Sequence, residues 1–226
     1  MDTPSSRIDL ALGATRTAIL RHPFLSELHA GSLPIEAFMR YLSQNYHYLN
    51  SYAKALAQIA ARSQDAVGVE FFAQRAVYTI ASEREFASQL AQGVGIDPSE
   101  LQTARATPAS VAYSSYIKQA AAYETLPVAM ATLLPCYTLY SHLARQLINR
   151  GSPNEFFQRW IEMYVGDDFV QGVHGAEAAC DRVAIDAPEH EVLAMIDGAR
   201  MSALHEWAFW ESAYRGLDWP DFNEQT

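Results

Sequence analysis

The stretch PIEAFMRYLSQNYHYLNSYAKALAQIAAR, residues 34–62, decides the fold class. Phe38, Tyr41, Asn45, Tyr48 and Tyr52 recur there at alternating three- and four-residue steps, the period of one helix face. All but one of these are aromatic, and the exception is an amide. A strand would alternate at every second residue, and this segment does not. The spacing predicts one helix over 34–62. Gly31-Ser32-Leu33-Pro34 marks its start, because a first turn has no use for the N–H that proline lacks.

Working outward, the pattern stays helical almost throughout. A first helix is expected from about Ser6 to Arg21, ended by His22-Pro23. Beyond residue 62, a helix over 66–92 stops at Gly93-Val94-Gly95, and Asp97-Pro98 opens a short helical turn. Thr107-Pro108 opens a helix to about Tyr123, and Thr125-Leu126-Pro127 opens one that ends at Asn149-Arg150-Gly151. Ser152-Pro153 begins a helix carrying Trp160 and Tyr164, and Gly166-Asp167-Asp168 breaks or bends it. A further helix reaches about Arg182, Pro188 starts the last long one to about Tyr214, and Trp219-Pro220 begins a short tail. Hairpin signals, fixed-period repeats and long linkers are absent. The expectation is about eight helices in one all-α, single-domain helical bundle over residues 1–226.

Composition narrows the function classes. A chain of 226 residues suffices for one good-sized core. Its net charge of −10 opposes nucleic-acid contact, which needs a basic face. The longest nearly uncharged apolar run, 128–140, contains Pro135 and is too short to span a bilayer, so no membrane association is expected. Residues 1–7 lack an apolar signal core, which points to the cytoplasm. Two cysteines make neither a disulfide framework nor a zinc pattern. Seven histidines include no Glu-x-x-His and no His-x-x-x-His spacing, so no metal and no cofactor are expected. Phosphate-loop, dinucleotide and nucleophile-elbow motifs are missing.

The candidate chemistry begins at Leu133-Leu134-Pro135-Cys136-Tyr137-Thr138-Leu139-Tyr140. Pro135 has no N–H and crowds the carbonyl four residues back, so a helix here must kink or lose a hydrogen bond. That leaves a polar spot beside a thiol. Tyr140 follows Cys136 by four residues and shares its face. Cys136 reads as either a small buried hydrophobe or a site thiol. Asn45, between Tyr41 and Tyr48, reads either as a bidentate partner for a heterocycle or as a core amide satisfied by a tyrosine hydroxyl. Glu206 shares a face with Ala203 and Trp210 and is flanked by His205, Trp207 and Phe209. A carboxyl in such apolar company has a raised pKa suited to acid–base work. Tyr113 and Tyr164, taken alone, read as core. Cys180 reads as structural or exposed, and His22 as fixing the turn that ends the first helix.

Several pieces then fall into one order. They are His22-Pro23-Phe24, Tyr41-Leu42-x-Gln44-x-Tyr46-x-Tyr48-Leu49, the run from Leu133 to Tyr140, Trp160-Ile161-x-x-Tyr164, and Glu206-x-x-Phe209-Trp210-x-x-Ala213-Tyr214-Arg215. With them the chain resembles the thiaminase-2 (TenA) family nearly end to end. The resemblance implies a haem-oxygenase-like helical fold without haem, assembled as a homotetramer. It implies an aminopyrimidine aminohydrolase of thiamin salvage, converting 4-amino-5-aminomethyl-2-methylpyrimidine to the hydroxymethyl pyrimidine, with thiamin cleavage in many members. By the resemblance Cys136 is the nucleophile and Glu206 handles protons, with Tyr48 orienting it. Tyr140 supports the thiol and pyrimidine side, and Tyr113 and Tyr164 line the pocket. The chain departs from the pattern at Asn45, where cysteine-bearing members carry Asp. An amide fits the neutral ring, whereas a carboxylate favours the protonated, more electrophilic one. A pyrimidine-like ligand-binding protein, or a hydrolase of altered substrate, is therefore the competing expectation. A transcription regulator is opposed by the acidity, and a metal-dependent oxidase by the histidine spacing.

Overall fold

The computed structural model describes residues 3–93 and 97–221, and every regular element among them is a helix. In chain order these are α1 (Pro4–Ala11), α2 (Gly13–Leu20), α3 (Pro23–Ala30), α4 (Ile35–Arg62), α5 (Ala66–Gly93), α6 (Pro98–Thr103), α7 (Pro108–Tyr123), α8 (Leu126–Ile148), α9 (Glu155–Met163), α10 (Asp167–Val183) and α11 (Glu189–Arg215). The expected all-α bundle is present, and the long helices begin and end within a few residues of their sequence signals. Val94 and Gly95, part of the expected stop after α5, lie outside the described residues.

The first segment differs from expectation. The single helix expected over 6–21 is two, meeting at Leu12, where the chain bends ahead of the weak helix former Gly13. His22-Pro23 then starts a helix as well as ending one. His22 Nδ1 accepts the Phe24 N–H at 3.1 Å, Pro23 occupies the first turn, and Gly31 closes α3 in the left-handed conformation (φ +75°).

Four helices build the core. Each of α4, α7, α8 and α11 packs against the other three. The whole α4 stripe is buried, from Phe38 to Tyr52. Tyr41 stacks on Trp210 at 4.9 Å and meets Trp160 edge-on at 6.1 Å, and Phe24 packs on both Tyr41 and Trp210. Such offset and edge-to-face pairs add to the burial of large rings. Helix α8 continues through Pro135 as one element, and the Tyr52 hydroxyl donates to the Leu133 carbonyl at 2.9 Å.

The N-terminal helices are tied to the far end of the chain. The Ser5 N–H and hydroxyl both donate to Asp181 at 2.7 Å, and Arg7 makes a bidentate pair with Glu189. His22 pairs with Glu211 at 3.0 Å, and the Tyr214 hydroxyl donates to Glu27 at 2.7 Å.

Helices α8 and α11 approach closely at Gly198. A Cβ there would lie 2.7 Å from Thr132 Oγ1 and 3.5 Å from Val128. Thr132 is fully buried and its hydroxyl is committed to the Val128 carbonyl, so it has nowhere to move. Gly198→Ala is expected to lower stability by about 1–3 kcal/mol, the usual cost of overpacking. A urea transition at lower midpoint with unchanged slope is the reading to look for.

Candidate active site

Glu206 lies at the centre of the four-helix core. It is 1% exposed on α11, one turn after Ser202 and one before Trp210. Tyr113, from α7, donates its hydroxyl to Oε1 at 3.1 Å. Tyr140, from α8, donates to Oε2 at 3.4 Å. Burial pushes the carboxyl up to about 7, against the pull of these two donors towards the ionised form. Glu206 is therefore far more readily protonated than an ordinary carboxyl.

Behind each phenol is a second hydroxyl. Tyr113 shares a hydrogen bond with Ser202 Oγ at 3.0 Å. Tyr140 accepts from Tyr41 at 3.3 Å, and Tyr41 accepts the Trp160 indole N–H at 3.4 Å. The Tyr113 ring is sandwiched between Tyr48 (4.5 Å, 27°) and His205 (5.5 Å, 10°). Burial lowers the pKa of His205, favouring its neutral ring. Tyr164, the residue that caps the end of α9, lays its ring 4.6 Å from that of Tyr140.

Cys136 borders the same cluster, one turn before Tyr140. It is half-buried, whereas Pro135 and Tyr137 beside it are buried. Burial raises the pKa of Tyr48, Tyr113 and Tyr140 well above the phenol range, and all three also feel the negative charges of Glu206 and of a thiolate at Cys136. Thiol and carboxyl thus face a shared set of phenols. Cys180 is a contrast. It is sealed inside α10, where burial pushes its thiol up to about 12. Neither cysteine is in a disulfide.

The structure therefore brings Cys136, Glu206, Tyr48, Tyr113 and Tyr140 together, with Tyr164 against Tyr140. The hydrogen bonds to the two oxygens of Glu206 come from Tyr113 and Tyr140, and Tyr48 makes none to it. Tyr48 instead supports the Tyr113 ring, and its buried hydroxyl completes no well-aligned hydrogen bond. Asn45 lies on α4 between Tyr41 and Tyr48, 7% exposed, and its carboxamide is hydrogen-bonded to no described residue. The tyrosine-satisfied core amide is thus not what is found. The neighbouring amide, Gln44, is fully used. It donates to the Arg105 carbonyl at 3.0 Å and accepts from the Thr107 N–H at 2.9 Å, fixing the entry to α7.

Sequence reasoning missed Ser202, Tyr41 and Trp160 as parts of this network. Ser202 stands one turn before Glu206, and that spacing was the available signal. Among the described residues no group of three or more His, Cys, Asp or Glu is placed to hold a metal ion. None of the described helices is long and apolar enough to cross a membrane.

Together these features define an all-helical protein with a thiol and a protonatable carboxyl set into an aromatic core. The chain belongs to the TENA/THI-4/PQQC family, whose model matches residues 12–216. It is similar to the aminopyrimidine aminohydrolase of Bacillus subtilis (strain 168), with 29% identity over 200 residues, 88% of this chain and 85% of that protein. In fold it is similar to a TenA homologue from P. horikoshii OT3, with a TM-score of 0.87 at 21% identity, covering 95% of this chain and 99% of that one. A domain with a heme oxygenase-like fold from Shewanella denitrificans superposes with a TM-score of 0.77 at 13% identity, covering 93% and 92%. The fold is thus haem-oxygenase-like.

The raised carboxyl has a consequence for stability. Between the ordinary value of 4.5 and about 7, the folded chain holds a proton on Glu206 that the unfolded chain has released. Stability contributed by this group is full below 4.5 and falls as pH rises through that window. Glu206→Gln keeps the shape and removes the ionisation. It is expected to be more stable than the native chain at about pH 8 by up to about 3 kcal/mol. Urea denaturation of both proteins should show the gap closing at about pH 5.

Proposed function

We propose that the chain is an aminopyrimidine aminohydrolase of thiamin salvage, taking 4-amino-5-aminomethyl-2-methylpyrimidine to the hydroxymethyl pyrimidine. The observation that carries this reading is Glu206, held near neutral pKa between two phenols and beside a thiol, in a chain similar to a named aminopyrimidine aminohydrolase. An acid–base group works best when its pKa lies near the operating pH.

In this reading the Cys136 thiolate adds to an electrophilic ring carbon and forms a C–S bond. The electron density pushed into the ring expels the amine from the exocyclic methylene, and protonated Glu206 gives it the proton it needs to leave as ammonia. Water then adds at the methylene, the Glu206 carboxylate takes its proton, and the C–S bond breaks to return the thiolate. The net change is amine plus water to alcohol plus ammonia. Tyr140 and Tyr113 hold the carboxyl in place, and Tyr164 packs its ring against Tyr140. The same reading extends to a homotetramer in the cytoplasm.

Asn45 favours a second reading, a pyrimidine-like ligand binder or a hydrolase with a different substrate. Its unbonded carboxamide offers one acceptor and one donor, which pair with the edge of a neutral aminopyrimidine. A carboxylate there would favour the protonated ring. A lost charge-assisted hydrogen bond is worth about 1.5–3 kcal/mol, or about tenfold to a hundredfold in rate.

Two substitutions divide these readings. Cys136→Ala should abolish release of the hydroxymethyl pyrimidine, measured by chromatography, and surviving turnover would remove the thiol as nucleophile. Asn45→Asp should raise turnover about tenfold to a hundredfold. A native chain that binds the pyrimidine, fails to hydrolyse it and is not rescued by Asn45→Asp would be a binder.

A further inference from the structure

Helices α4 and α7 pack side by side, and two cavities lie along the seam between them. One, of about 430 Å³, is bounded by Asn50 on α4 and by Ser110 and Ser114 on α7. The other, of about 790 Å³, is bounded by Gln58 on α4 and by Gln119 and Ala122 on α7. Lys54, Ser115 and Lys118 line both cavities, so they form the waist at which the two meet.

Lys54 and Lys118 are the only lysines in the chain. A cation has many carboxylates to choose from here, because 26 residues are acidic. Arg159, Arg200 and Arg215 each pair with a carboxylate three or four residues away on their own helix. The two lysines do not. No Asp or Glu stands within four positions of either, and none lines either cavity. Among the described residues neither lysine is ion-paired. Two like charges at one waist, with no counter-charge between them, repel each other.

Ser114 is a second and separate observation. It is 7% exposed and lines the smaller cavity, and its buried hydroxyl has no hydrogen-bond partner among the described residues. A hydroxyl within a helix can satisfy itself on the carbonyl four residues back. Thr132 and Thr138 do so on α8, and Ser114 does not. Leaving such a donor unmatched is costly.

We infer that the waist of this groove binds a small phosphate-bearing anion, held between the Lys54 and Lys118 ammonium groups with the Ser114 and Ser115 hydroxyls as further donors. A phosphate has enough oxygens to accept from all four, and it supplies the missing counter-charge. The cavities on either side leave room for an organic group, with amides from Asn50, Gln58 and Gln119 along them. The ligand is small because the net charge of −10 repels a long polyanion and only two cations line the groove. None of the groups that face Glu206 lines the groove, so this site is separate from the candidate active site.

The test uses the full chain with its lysines dimethylated from carbon-13 formaldehyde, which keeps their charge. The lysine spectrum then has two signals, and Lys54→Arg assigns them. Inorganic phosphate, pyrophosphate and uridine 5′-phosphate are titrated at constant ionic strength in chloride. Affinities are measured by calorimetry on the unmodified chain, and urea transitions show that each variant is folded. The expected result is that pyrophosphate moves both signals along one saturating curve. Lys54→Gln and Lys118→Gln should each weaken binding about fivefold or more, and Ser114→Ala about threefold. Tighter binding of uridine 5′-phosphate than of inorganic phosphate would seat its organic part in a flanking cavity, and equal affinity would make the free anion the ligand. A response that fails to saturate, that moves one lysine alone, or that is unchanged in a lysine variant or in Ser114→Ala would overturn the proposal. So would saturation by a polyglutamate peptide alone, which would assign the groove to an acidic protein.

Discussion

A carboxyl held away from water is the constraint on which the rest of this structure turns. Burying an unpaired carboxylate costs several kcal/mol, so the group must be neutralised, hydrogen-bonded or both. Here α11 brings Glu206 into the core, α7 supplies a phenol to one oxygen and α8 supplies a phenol to the other. Helix α4 fills the space behind with Tyr41 and Tyr48. The helices that make the core are the helices that make the site. Packing and chemistry are consequently inseparable, as the close approach at Gly198 illustrates on the α8–α11 seam.

The two cysteines sit in sharply different environments. Cys180 is enclosed, and burial raises its thiol beyond the range in which thiolate forms readily. Cys136 keeps accessible surface and faces phenols that also face Glu206. The two amides of α4 make a similar pair. Gln44 spends both of its polar atoms on the backbone before α7, whereas Asn45 spends none on the described protein.

Much of the fold was legible in the sequence because the signals are local. The period of the aromatic stripe in 34–62, the proline starts and the glycine stops each act within a turn or two, and α4, α7, α8 and α11 fall where those signals put them. The bend at Leu12 and the separate helix α3 were not legible. The first depends on a subtle weakening at Gly13, and His22 serves both as the end of one helix and as the cap of the next. At the site, the raised carboxyl could be read from the aromatic company of Glu206. Which phenols would reach it could not. Tyr48, Tyr113 and Tyr140 are alike as residues, and only the distances between helices select Tyr113 and Tyr140 as donors. The Trp160–Tyr41–Tyr140 chain links three helices and leaves no spacing to read.

The ties between the chain's two ends bear on its biosynthesis. Helix α1, the cap residue His22 and helix α3 hold to Asp181, Glu189, Glu211 and Tyr214, and Glu206 itself arrives on α11. A nascent chain at the ribosome therefore carries the tyrosines of α4 without the helix that covers them until some 150 further residues have been made, on the order of ten to thirty seconds at ordinary elongation rates. Throughout that interval an aromatic face is open to wrong partners.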